Sequence, residues 1–393
     1  MQAMEDGPMQ VIIEPKLQTN RLGGVDVPSA EVLKKMHDSR YILRATGGKL
    51  IRVPAEKALL PHSDDMSPQG TQVDVGPDGT VYVRQSQVLC KSTDGGCTWT
   101  SQSLVAVKGD PGWHWKVLQD STFISVNCST GQDARDAAIV WVSQDEGLTW
   151  TRRAEIPIDM VLPDGRPYAE RYTHRGLNRL QDNTLLWTVD IRNTEMTMNG
   201  CYTFRSTDAG YTWQGPVLMI DWGSEGAATL MPSGHVFATM RYQRSPLPSD
   251  TEEIMSPMAG TDTGRGFKNV FVMNSADGGQ TWSPPRMLCT VYGQTFGYPA
   301  AQSDGTVVVI HDTRYGPGPP GSRAMISRDE GRTWLNEVYY LDYTTFTGSY
   351  SASVVFDDDT ILSICGSSQA PGSWDEVRDN TDMYAIRWRP VEK

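Results

Sequence analysis

The chain has no apolar run that approaches the ~18–20 residues of a membrane-crossing helix, and no membrane partner is expected. It has no C-x-x-C pair: its six cysteines stand at 90, 97, 128, 201, 289 and 365, which argues against a zinc site. Only Cys90 and Cys97 are close enough in sequence to face each other across a short hairpin. Scattered free thiols fit a reducing compartment. The chain has no basic run, and its formal net charge of −12 argues against a nucleic-acid partner. The opening "MQAMEDGPMQ" lacks a basic segment followed by an apolar one, so a cytoplasmic location is expected, with secretion open if the N-terminus has been trimmed. No metal and no cofactor are expected.

What is present is turn chemistry. Among 393 residues there are 37 Gly and 24 Pro, with 38% hydrophobic and 21% charged residues, which suits a globular β protein. The length allows one large repeat-built domain or two ordinary ones. One eight-residue motif, S-x-D-x-G-x-T-W, occurs five times, starting at Ser92, Ser143, Ser206, Ser275 and Ser327. Its aspartates are Asp94, Asp145, Asp208, Asp277 and Asp329, spaced by 51, 63, 69 and 52 residues. Periods of roughly 40–50 or more with strand patterns suggest a propeller.

A second series interleaves with the first. It reads "TQVDVGPDGTVYV", "WKVLQDSTFISV", "LNRLQDNTLLWTV", "AATLMPSGHVFATM", "PAAQSDGTVVVI" and "SASVVFDDDTILSI". These are β-branched, partly alternating runs around polar turns, the signature of hairpins. Each of the first five precedes one copy of the motif. Six units of two hairpins make six four-stranded blades, with the first hairpin innermost and the motif turning between the outer strands. Unit six has no motif. Its tail "DMYAIRWRP" offers one outer strand, and an N-terminal segment such as "MQVIIEPKL" can complete the blade and close the ring. Residues 1–60 are thus an N-terminal segment, part of it closing the last blade, and 61–393 the propeller.

The motif reads as a turn clamp. Ser and Asp side chains bond turn backbone, Gly supplies a positive φ, and Trp wedges between neighbouring sheets. A calcium loop needs several carboxylates, and each copy holds one Asp with at most one Glu. The inner turns and the motif turns share one face. The starts and ends of the inner hairpins therefore meet on the other face, around the axis. That ring is rich in Arg, His, carboxylate and aromatic residues, which suits a polar sugar pocket. Its members include Asp65, His114, Trp115, Glu170, His174, Arg175, Asp190, Phe296, Tyr298, Asp312 and Arg314.

These motifs are Asp boxes, and nearly the whole chain resembles the sialidase (neuraminidase) superfamily of six-bladed β-propellers with Asp-box, or BNR, repeats. The resemblance implies an all-β six-bladed propeller that cleaves a terminal glycosidic bond. In that family a Tyr attacks the anomeric carbon and a Glu takes its proton. "GSYSASV" resembles the nucleophile segment and points to Tyr350. "SEGAATLMPSGHVFATMR" resembles the segment with the partner Glu and an Arg, pointing to Glu225 and Arg241. "GSRAMISRDEGRTW" resembles the segment carrying another Arg, which points to Arg323, with Arg314 competing. Two family features are missing. No Arg stands in "SPQGTQVDV", although Arg52 lies in "IRVP" upstream, and no acid stands in "VYVRQSQVLCKST". Asp64, Asp65, His62, His114, Glu170 and His174 are the candidate replacements, Asp65, Glu170 and His174 foremost as the general acid or base, and Arg175, His114, Trp115 and Tyr298 are further candidates for sugar binding. The expected activity is an exo-acting glycoside hydrolase on a terminal, possibly acidic, sugar. The alternatives are a lyase on an acid sugar and a non-catalytic glycan-binding propeller.

Overall fold

The computed structural model describes residues 21–22, 25–61, 71–85, 87–104, 108–112, 114–128, 137–158, 161–167, 170–172, 176–192, 199–255, 266–289, 292–315, 318–343, 350–367 and 382–391. A short ribbon, β1 (Arg21–Leu22) and β2 (Val25–Asp26), leads into helix α1 (Ala30–His37). A hairpin follows, β3 (Tyr41–Thr46) and β4 (Lys49–Leu59). The first sheet holds β5 (Gln72–Val75), β6 (Val81–Gln85), β7 (Val88–Ser92) and β8 (Thr100–Ser103). The second holds β9 (Trp115–Val117), β10 (Phe123–Asn127), β11 (Ala137–Ser143) and β12 (Thr151–Pro157). In the third, β13 (Glu170–Tyr172) and β14 (Leu177–Arg179) both pair with β15 (Leu185–Arg192), which continues to β16 (Asn199–Ser206) and β17 (Gln214–Ile220). The fourth holds β18 (Gly223–Leu230), β19 (Val236–Arg244), β20 (Phe267–Ser275) and β21 (Arg286–Met287), with a short helix α2 (Glu252–Met255) between β19 and β20.

The last two units differ from the six separate blades expected. β22 (Gln294–Ala301), β23 (Val307–Thr313), β24 (Gly321–Ser327) and β25 (Glu337–Tyr340) share one nine-stranded sheet with β26 (Ala352–Val355), β27 (Ile361–Ser367) and β28 (Asp382–Trp388). The β3–β4 hairpin joins the two halves. β3 pairs with β25, Tyr340 opposite Leu43, while β4 pairs with β28, Trp388 opposite Ala55. A hairpin has two free edges, and here each one finishes a different sheet, so neither edge is left unpaired. The segment "MQVIIEPKL" lies outside the described residues. Leu33 and Met36 of α1 sit in the core cluster that includes Ile42, Val53, Val338 and Trp388, behind this fused sheet.

The inner strands close a ring. β5, β9, β14, β18, β22 and β26 pack each against the next, and β26 returns to β5. The sheets are thus arranged as in a propeller. Local side chains pin five of the six inner turns in one way: Asp78, Asp120, Asp182, Asp304 and Asp358 each accept the N–H of the Thr two residues on, at 2.8–3.0 Å. The five S-x-D-x-G-x-T-W turns repeat one network. The Ser Oγ accepts the Gly N–H at 2.8–2.9 Å and donates to the Asp carboxylate. The Thr N–H and hydroxyl both donate to that carboxylate. With its oxygens spent in this way, the carboxylate closes its turn. Among the described residues no group of His, Cys, Asp or Glu could hold a metal ion, and no helix is long and apolar enough to cross a membrane.

Candidate active site

One backbone device recurs on the ring face opposite these turns. In four of the six inner hairpins a residue whose N–H closes the turn can serve as a ruler here: Leu118, Met231, Gln302 and Phe356. Six residues before it stand Gly112, Glu225, Phe296 and Tyr350. All four adopt a left-handed backbone, with φ of 70°, 53°, 57° and 47°. In β18 and β22 the register shifts at this point, between Ser224 and Ala227 and between Thr295 and Tyr298. These are β-bulges that re-aim a side chain toward the axis. A left-handed non-glycine residue costs roughly 1–2 kcal/mol, and three of them side by side mark a place held under strain.

Glu225, Phe296 and Tyr350 form one cluster. The Tyr350 hydroxyl donates to Glu225 Oε1 at 3.4 Å. Arg241, from the end of β19, donates to both Glu225 oxygens at 2.6 and 2.7 Å, and also to Gln243. Phe296 is fully buried. Its ring lies against Tyr350, centroids 3.5 Å apart, and under two guanidiniums, Arg241 at 4.5 Å and Arg314 at 4.7 Å. Burial pulls the Arg241 guanidinium down, but Glu225 and the Tyr350 phenol together outweigh burial and the net shift is upward. Arg314 shifts the other way: burial first and then the Arg241 charge lower it, and Tyr350, Glu225 and Asp312 offset only part. Its side chain makes no hydrogen bond or ion pair with a described residue, and its buried Nε has no acceptor. The cluster is therefore a phenol touching a carboxylate, with one paired cation and one cation still open to an anion.

The other sequence candidates fall elsewhere. Arg323 does not join the cluster. It is 1% exposed, and its guanidinium donates to the carbonyls of Ser322, Asp342, Pro319 and Pro320. Trp115 is a core residue, stacked on Phe123 at 4.8 Å and packed with Tyr82 and Trp150. His114 is buried, and its carbonyl accepts from Ser125 Oγ at 2.5 Å. It stands four residues before Leu118, as Tyr298 stands four before Gln302, so the two share a register position. Tyr298 meets Lys116 of β9, whose ammonium donates to the Tyr298 hydroxyl at 3.3 Å and to the Val73 carbonyl at 3.1 Å. Arg52 lies on the outer hairpin over the Tyr41 ring, 4.8 Å from its centroid, and does not approach the ring axis. Glu170 opens β13 opposite Arg192. His62, Asp64, Asp65, His174 and Arg175 lie outside the described residues. Lys116 was not anticipated. Its signal was a lysine inside the apolar strand "WKV", a place where an unpaired charge is expensive.

The fold defines the chain as an all-β protein with sheets in a propeller-like ring. No family model matches the chain, and no curated protein matches it in sequence. Solved structures of the same fold include a protein of unknown function from Dyadobacter fermentans, 16% identical, covering 85% of this chain and 98% of that one, TM-score 0.58. They also include the α-L-arabinofuranosidase of Fusarium graminearum in complex with an iminosugar inhibitor, 15% identical, covering 84% and 97%, TM-score 0.55. A Hadza microbial sialidase is 15% identical over 89% of this chain and 74% of that one, TM-score 0.52. At these identities the likeness is one of fold.

Proposed function

We propose that this chain is a carbohydrate-active enzyme, an exo-acting glycoside hydrolase on a six-bladed, Asp-box propeller whose last two blades are fused by the β3–β4 hairpin. The observation that carries the reading is the Tyr350 hydroxyl on Glu225, flanked by Arg241 and Arg314. Glycosidases among proteins of similar fold support the substrate class.

In this reading Glu225 takes the phenol proton as Tyr350 Oη bonds to the anomeric carbon. The bond from that carbon to the leaving oxygen breaks, and an acid protonates that oxygen. Asp65, Glu170 and His174 are the candidates for that acid. Water then releases the sugar from Tyr350: its oxygen bonds to the anomeric carbon, its proton goes to the conjugate base of that acid, and the proton on Glu225 returns to the phenol oxygen. A phenol is a weak nucleophile at neutral pH, and the carboxylate beside it is the general base it needs. Arg314 has a charge to spare, which suits an acidic group on the terminal sugar.

A screen of the wild-type protein against chromogenic pyranosides, furanosides and acidic glycosides tests this. Turnover of one of them is expected. Binding of oligosaccharides with no turnover across the panel would favour the non-catalytic propeller instead.

A further inference from the structure

The same ruler that finds the bulges finds what holds them. Six residues after Thr184, His235 and Thr306, the acceptors of the turn hydrogen bonds, stand Asp190, Arg241 and Asp312. The three occupy one position near the ends of β15, β19 and β23. Asp190 Oδ2 accepts the backbone N–H of Glu225 at 2.9 Å, and Asp312 Oδ2 accepts that of Tyr350 at 3.0 Å. In each case the aspartate reaches from one inner hairpin to the left-handed residue of the next. Both carboxylates are nearly inaccessible, at 2% and 1% exposure. Neither N–H is taken up by its own strand ladder, and a buried N–H needs an acceptor. In the middle repeat the position is Arg241, which reaches Glu225 with its side chain and covers Phe296.

We propose that Asp190 and Asp312 are positioning residues that hold Glu225 and Tyr350 in their left-handed backbone conformation, so that the two side chains meet. The proposal rests on the reading of Glu225 and Tyr350 as the reacting couple. Neither aspartate touches the sugar. Each acts through the backbone of its neighbour. The other oxygen of Asp312 accepts the hydroxyls of Ser351 at 3.2 Å and Ser322 at 3.4 Å. An amide is a fair substitute. Its oxygen can accept the Tyr350 N–H while its NH₂ donates to the serine hydroxyls.

The test is the structure and kinetics of Asp312→Asn and Asp312→Ala. In the Asn variant Tyr350 should keep its positive φ and activity on the chromogenic glycoside should stay close to wild type. In the Ala variant Tyr350 should leave the left-handed region, and kcat should fall by about 10²-fold with KM little changed. A Tyr350 that keeps its φ and its contact with Glu225 in Asp312→Ala overturns the proposal. Should that variant not fold, Asp190→Asn and Asp190→Ala repeat the test at Glu225, with the same two outcomes. Glu225→Gln and Tyr350→Phe run alongside. If those two keep full activity, the reaction assigned to the couple is wrong, whereas the φ measurement still decides what the aspartates hold.

Discussion

Arg314 should make the protein less stable than it would be without it. Its guanidinium and that of Arg241 lie 4.7 and 4.5 Å from the same ring centroid. Adding those distances bounds their separation at about 9 Å. At an effective dielectric constant of about 20, two like charges at that distance repel by roughly 2 kcal/mol. Attraction to Glu225 returns part of this, and no described carboxylate pairs with Arg314. Arg314→Met keeps the apolar stem over Phe296 and removes the charge. The variant should be more stable than wild type by about 1 kcal/mol. Urea unfolding at neutral pH and low salt measures it, with Arg314→Lys as the control that keeps the charge. The gap should narrow as salt screens the pair. An Arg314→Met protein less stable than wild type would refute the reasoning, because it would mean that Arg314 holds the fold rather than waits for an anion.

Burial pushes the Asp342 carboxyl up to about 7 from 3.8, with the Arg323 charge opposing. The folded state then holds a proton that the unfolded chain has lost, so stability falls as pH rises from about 4 to about 7. Unfolding curves should show wild type losing on the order of 2 kcal/mol relative to Asp342→Asn between about pH 5 and pH 8; a constant gap would contradict the shift. Asp208→Ala breaks the bonds to Ser206 and Thr212 on the face away from the cluster. Its unfolding midpoint should drop while kcat/KM is unchanged. Phe296→Ala removes the surface under both guanidiniums, which should lower stability by about 3 kcal/mol or more and raise KM for an acidic glycoside more than for a neutral one.

The turns were legible because their chemistry is local. Ser275, Asp277, Gly279 and Thr281 bond one another within seven residues, so the motif predicts its own clamp. Register counted outward from the turns to Arg314, and the resemblance of two segments to sialidase segments pointed to Glu225, Arg241 and Tyr350; the structure gathers all four around Phe296. The bulges carried a sequence signal that composition hides. Gly112 stands where the later repeats have Glu225, Phe296 and Tyr350, and a glycine there announces the left-handed backbone. The sharing of the β3–β4 hairpin between two sheets was not legible, because edge pairing between Glu337 and Thr46 depends on strands nearly three hundred residues apart. Arg323 misled for a similar reason. Nothing local shows that it meets the carbonyls of Pro319, Pro320 and Asp342. Trp115 read as a pocket aromatic, but Phe123 across the hairpin claims its face.

The central claim is that Glu225 and Tyr350 act as one chemical couple. Its most direct test is kcat/KM of Glu225→Gln and Tyr350→Phe on whichever glycoside the wild type hydrolyses, with each variant's fold checked. Both should lose about 10²–10⁴-fold or more, and the double variant should lose little beyond the worse single one. Two folded variants that retain full activity would contradict the account.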